Sequence, residues 1–212
     1  KGQLKNPDRH LILPLDLSQL NDVGYFTDQI LAKFGRIDIL INNGGVSQRA
    51  SANDTSMEVN RQLMEVNFFG NIALAKAVLP IFRTQSAGQF LVVSSIAGKF
   101  GFHLRSIYSA SKAALVGYYE SLAMEEATNG IRVTIAFPGK INTPISKSAL
   151  TAEGAAHGQM DRNQASGMPV EQCVSQLLNA LASGKKEVLI GGKELIAVQL
   201  KRFLPRLFWK II

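Results

Sequence analysis

Apolar positions along this chain follow two rhythms. Gln89–Ser94 and Ile131–Phe137 are nearly continuous apolar, β-branched runs, as expected of strands buried on both faces. His10–Leu15, Ile37–Ile41 and Glu187–Ile190 are shorter runs of the same kind. Between them the apolar residues spread to helical spacing. In Leu20–Phe34 they fall at Val23, Phe26, Ile30, Leu31 and Phe34 and stop at Gly35, a glycine C-cap. Ser56–Phe82 and Tyr108–Thr128 read as long helices. Pro169–Ala182 reads as a further helix, with proline in the first turn, where no N–H is needed. Lys1–Asn6 reads as the end of an earlier helix. Strand alternating with helix predicts an α/β fold with a doubly wound parallel sheet, Rossmann-type.

Two places break the rhythm. Asn67 lies inside the Ser56–Phe82 helix with Gly70 close behind, which predicts a local kink. Ile145–Met168 has no apolar period and is rich in Ala, Gly, Ser and Gln, so it reads as a lid or a disordered segment.

Composition narrows the class. The chain has 212 residues, of which 46% are hydrophobic, enough for one sizeable core. Its single cysteine, Cys173, excludes an internal disulfide framework. No uninterrupted apolar run reaches the roughly eighteen residues of a membrane-spanning helix. The net charge of +7 is scattered rather than gathered on an aromatic-interleaved face, so no nucleic-acid partner is expected. The expected location is the cytoplasm, or the periphery of a membrane facing it.

The candidate chemistry follows the Gln89–Ser94 strand. Ser95 sits just past its carboxyl end, where open α/β sheets hold their ligands. Tyr108 and Lys112 lie four apart at the start of the next helix, on one face. A lysine ammonium beside a phenol favours the phenolate and would draw its pKa down from about 10. A Ser hydroxyl there can hold a substrate oxygen. Each piece has an ordinary alternative: Ser94-Ser95 as a turn, Asp16 as a helix cap, Asn43-Gly44 as an Asn-Gly turn, Asn67 as a solvent-facing side chain, Pro138-Gly139 as a simple turn. No cluster suggests a metal.

Taken together, Ser95, Tyr108-x-x-x-Lys112, Asn67, Asn42-Asn43-Gly44-Gly45 and Pro138-Gly139-Lys140-Ile141-Asn142-Thr143 resemble the short-chain dehydrogenase/reductase family. The likeness is greatest to its hydroxysteroid dehydrogenase-like and member 7-like branch. The resemblance implies a catalytic set of Asn67, Ser95, Tyr108 and Lys112, with Asn67 holding a relay water. It implies NAD(P)(H) as cofactor, NADP somewhat favoured. Asp16 and Leu17 would lie at the adenine end, Asn43, Gly44 and Gly45 along one wall. Lys112 and Tyr108 would lie by the nicotinamide ribose, with Pro138, Gly139, Ile141 and Thr143 at the carboxamide. The family usually has Ala where this chain has Gly44. The implied reaction interconverts a secondary alcohol and a ketone on a small, lipophilic substrate. The alternative is a catalytically silent relative acting as a nucleotide-binding or membrane-surface regulatory protein.

The family's Thr-Gly-x-x-x-Gly-x-Gly turn does not occur before Asp16, so the sequence reads as a portion of a longer protein. The sheet is expected to lack its first two strands, leaving His10–Leu15 without a neighbour. Residues 1–192 would form the catalytic domain and 193–212 a basic amphipathic tail. In that tail Leu200, Phe203, Leu204, Leu207, Phe208, Ile211 and Ile212 share one helical face. Lys201, Arg202, Arg206 and Lys210 fill the other, Trp209 stands at the boundary, and Pro205 kinks or splits the helix. Such a face suits a membrane interface through 200–212, or packing on the protein itself. Small residues on two faces of the Ser56–Phe82 and Tyr108–Thr128 helices, and the family's habit, predict a homodimer or homotetramer.

Overall fold

The computed structural model describes Asn6, residues 9–19 and residues 23–211, apart from the Asn163 side chain. The Lys1–Asn6 helix end, the Leu20 helix start and Ile212 lie outside the described residues or at their edge. Four parallel strands form one sheet in the order β1-β2-β3-β4: Ile39–Asn42, Gly88–Val93, Ile131–Pro138 and Glu187–Ile190. Each is reached through a helical crossover, as parallel pairing requires.

Strand alternation explains the two layers. Phe90 and Val92 of β2, with Val133, Ile135 and Phe137 of β3, point to one face. There they meet Ala75, Val78 and Phe82 of α3 (Gly70–Gln85) and Leu115, Tyr119 and Leu122 of α4 (Ser106–Glu125). Leu91 and Ala136 point the other way, onto Leu181 of α6 (Val170–Ala182). Phe90 sits at the centre, its ring 5.0 Å from Phe82 and 6.0 Å from Tyr119. Burying an aromatic side chain of this size contributes about 1.5–3 kcal/mol.

The expected strand at His10–Leu15 is not one. A strand exists only where its backbone finds a ladder, and none runs beside this segment among the described residues. The segment carries no regular structure, and a turn follows it: Gln19 N–H donates to the Asp16 carbonyl at 3.1 Å, and Asp16 Oδ1 accepts from Ser18 N–H at 2.9 Å. The next helix, α1 (Val23–Phe34), ends as the sequence suggests. Gly35 has a φ of 75°, open to glycine without strain, and its N–H reaches the Leu31 carbonyl at 2.8 Å.

The long helix changes its winding at Asn67. It runs as α2 (Met57–Met64), one π-turn (Glu65–Phe69) and α3. By length and composition Met57–Gln85 could cross a bilayer. Its Val59, Leu63, Asn67, Ala75, Val78 and Phe82 are instead buried against the rest of the fold. Pro169 caps α6 rather than opening it. The lid segment is ordered by main-chain bonds: Arg49 N–H to the Leu150 carbonyl and Leu150 N–H to the Ser47 carbonyl, each 2.8 Å. A short helix, α5 (Arg162–Ala165), follows. The C-terminal helix breaks at Leu204 into α7 (Leu195–Phe203) and α8 (Pro205–Ile211), because proline cannot continue the ladder.

Candidate active site

A cleft of about 970 Å³ opens beyond the carboxyl ends of β1, β2 and β3. Of the residues singled out by sequence, Asn43, Gly45, Ser95, Tyr108, Lys112, Pro138, Gly139, Ile141 and Thr143 line it. Asp16, Leu17, Gly44 and the fully buried Asn67 do not. Leu17 packs instead against the glycines: a Cβ on Gly44 would come 2.5 Å from its Cδ1, and one on Gly70 2.5 Å from its carbonyl oxygen.

The centre of the cleft is built by β2 and α4. Ser95 leaves β2 in extended conformation, and its Oγ accepts from Ala97 N–H at 3.1 Å. The same hydroxyl donates to the Pro138 carbonyl at 3.4 Å, and it faces the cleft that Tyr108 also lines. The strand end and α4 can approach because Gly98 is bare: a Cβ there would lie 2.8 Å from the Lys112 carbonyl oxygen. Ser94 Oγ, donating to that carbonyl at 2.9 Å, closes the contact. Lys112 is one turn below Tyr108, its Nζ 5.9 Å from the ring centroid and donating to the Val93 carbonyl at 2.9 Å.

Electrostatics here differ from the sequence expectation. Burial raises the Tyr108 pKa; the Ser95 hydrogen bond and the Arg105 charge pull it down, and Lys112 is not among the causes. Lys112 is itself buried, which pushes its ammonium down to about 8. Each group is desolvated, and desolvation opposes charge on both. The downward pull assigned to Lys112 therefore comes from Ser95 and Arg105.

Asn67 joins the site through the π-turn, a form that recurs at functional positions. Its Nδ2 donates to the Val46 carbonyl at 2.9 Å and to Ser111 Oγ at 3.0 Å, and its Oδ1 accepts from Val46 N–H at 2.8 Å. Ser111 in turn donates to the Tyr108 carbonyl at 2.8 Å. A Cβ on Gly45 would lie 3.0 Å from Asn67 Oδ1 and 3.4 Å from Lys112 Nζ, so both atoms face the same bare α-carbon.

Three contributors are not visible in the local sequence. Gln48, fully buried, caps α4 from the loop after β1: its Oε1 accepts from Ile107 N–H at 3.0 Å and Tyr108 N–H at 3.4 Å. Arg105 donates to Asp161 at 2.6 Å, and Arg49 pairs with the same carboxylate at 3.4 Å, which fastens the lid to the cleft wall. Glu194, just before α7, accepts from Lys140 N–H at 2.9 Å and Gly192 N–H at 3.1 Å. It holds the Pro138–Gly139–Lys140 turn from behind. Only a polar residue inside an apolar stretch hints at any of them, and the partner of each lies far along the chain.

Residues 1–154 match the profile of short chain dehydrogenases. The chain belongs to the short-chain dehydrogenase family. Among curated members, a dehydrogenase/reductase SDR family protein 7-like of Anopheles gambiae is 44% identical over 180 residues, 85% of this chain and 57% of its own length. Member 7B of Xenopus laevis is 39% identical over 211 residues, 99% of this chain and 64% of its own. The chain thus spans less than two thirds of the length of these short-chain dehydrogenase relatives. Among solved structures, a Burkholderia cenocepacia short chain dehydrogenase in complex with NADP superposes with a TM-score of 0.76 at 25% identity. That match covers 92% of this chain and 74% of the other.

Proposed function

We propose that this chain carries the catalytic site of an NAD(P)-dependent oxidoreductase that interconverts a secondary alcohol and a ketone on a small, lipophilic substrate. The observation that carries the reading is the convergence of Ser95, Tyr108 and Lys112 on one cleft, with Lys112 one turn from Tyr108. The cleft suits the nicotinamide end of such a cofactor. Asn43 and the bare Gly45 form one wall, Pro138, Gly139, Ile141 and Thr143 the other, and Lys112 lies between them. When bound, the cofactor supplies hydride chemistry.

The protein's residues handle the proton. Burial keeps the Tyr108 phenol protonated, the form that donates to a carbonyl oxygen. Ser95 Oγ holds that oxygen beside the phenol and polarises it. Lys112 orients the cofactor, and Asn67, with Ser111, fixes the helix turn that carries Tyr108. NADPH and NADH oxidation by the full-length protein against a panel of ketones tests this. Tyr108→Phe is expected to lose at least about 10²–10⁴-fold in rate with its fold retained. A Phe variant that keeps most of the rate removes Tyr108 from the mechanism.

A further inference from the structure

The tail divides its apolar residues in two. Phe208 is buried, its ring 5.1 Å from Phe100, which stacks at 4.7 Å on Phe102 in the cleft wall. Phe203, Leu204, Leu207, Trp209 and Ile211 are left in solvent, as is Ile196 one α7 face earlier. Packing on the protein therefore accounts for Phe208, and the others still need cover. Around them stand Lys201, Arg202, Arg206 and Lys210, and no acidic residue follows Glu194. None of these four cations makes an ion pair among the described residues. Lys201 lies over the Trp209 ring, 4.5 Å from its centroid, where its stem and the indole form one amphipathic unit.

We propose that α7 and α8 dock on a membrane surface rich in anionic phospholipid, Trp209 and its apolar neighbours entering the headgroup boundary and the four cations answering the phosphates. The charge pattern selects this occupant. A second copy related by a two-fold axis would set basic residues against basic residues. An acidic soluble partner would answer the cations and leave the apolar side chains without a match. An anionic bilayer answers both. Phe208 then gives the surface a rigid seat, joined through Phe100 and Phe102 to the cleft. This inference stands apart from the oxidoreductase reading, since it needs no turnover.

Trp209 is the single tryptophan of these 212 residues, so within them the emission reports on this surface alone. Adding vesicles of phosphatidylcholine with phosphatidylserine is expected to shift that emission to the blue, with quenching by brominated acyl chains. Phosphatidylcholine alone should act weakly. R202Q with R206Q, both exposed, should cut vesicle partitioning about 30-fold, roughly fivefold per charge. Phe203→Ser with Ile211→Ser should abolish the quenching while the thermal midpoint stays near wild type. Unchanged emission, with the protein left in the supernatant after vesicle sedimentation, overturns the proposal. A blue shift that grows with protein concentration without vesicles, together with a doubled mass, also overturns it in favour of a second copy.

Discussion

Replacing Lys112 by Met tests whether the site stores instability in its own lysine. Burial lowers the ammonium from 10.5 to about 8 in the folded protein. In the unfolded chain the amine titrates near about 10.4. At pH values between these two, the unfolded chain holds a proton that the folded protein has released, so stability rises as pH rises through that window. Below about 8 the lysine is charged in both states and the full cost is present. The gap amounts to about 3 kcal/mol against the folded state at neutral pH. Met cannot donate to the Val93 carbonyl, which Lys112 reaches at 2.9 Å. Leaving that oxygen unpaired returns about 1 kcal/mol of the gain. Lys112→Met should therefore stabilise the protein by about 2 kcal/mol at pH 7 and be the less stable protein by about 1 kcal/mol at pH of about 11, where only the lost hydrogen bond remains. Urea unfolding of both proteins across a pH series measures this directly. A variant less stable than wild type at neutral pH, or a difference flat with pH, would refute the reasoning.

Arg105 lowers the Tyr108 pKa, so Arg105→Gln should move the pH profile of alcohol oxidation by the full-length enzyme to higher pH; an unmoved profile removes Arg105 from the electrostatics. Glu194→Ala leaves the Lys140 and Gly192 N–H groups without their acceptor and should cost about 1 kcal/mol in urea unfolding. It should also weaken NADPH binding in fluorescence titration, whereas Glu194→Gln, still an acceptor, should keep most of both. Gln48→Ala uncaps α4 and should destabilise by about 1–3 kcal/mol, with the helix start around Tyr108 losing amide-exchange protection first.

What the sequence showed and what it hid divide along one line. β2 and β3 were legible because strands buried on both faces are continuously apolar, β1 and β4 as shorter apolar runs, and Tyr108 and Lys112 because their spacing fixes a shared helix face. The irregular turn at Asn67 was legible because an amide inside an apolar helix needs a reason. His10–Leu15 has the composition of a strand, but pairing is decided by a neighbour, which composition does not contain. Gln48, Arg105 and Glu194 act on partners far off in sequence; Arg105 and Asp161 are 56 positions apart. The phenol's titration was misjudged because proximity of a lysine is a local fact, while the desolvation that outweighs it belongs to the whole fold.

The π-turn bears on a question of phase. Val59, Leu63, Asn67, Asn71 and Ala75 are all buried and recur every fourth residue. In an unbroken α-helix such a series creeps about 40° around the axis per step, since a turn takes 3.6 residues. The wider turn at Glu65–Phe69 winds back roughly 90° of that creep, so residues before and after it share one lane. Chain length here is thus fixed as firmly as side-chain identity. Removing one residue from 65–69 would swing everything beyond it by about 100°. Asn67 would then leave Val46 and Ser111, and Phe82 would leave Phe90. Point changes along this helix alter single contacts, whereas one deletion would put the end beside the cleft and the sheet-packing end out of step.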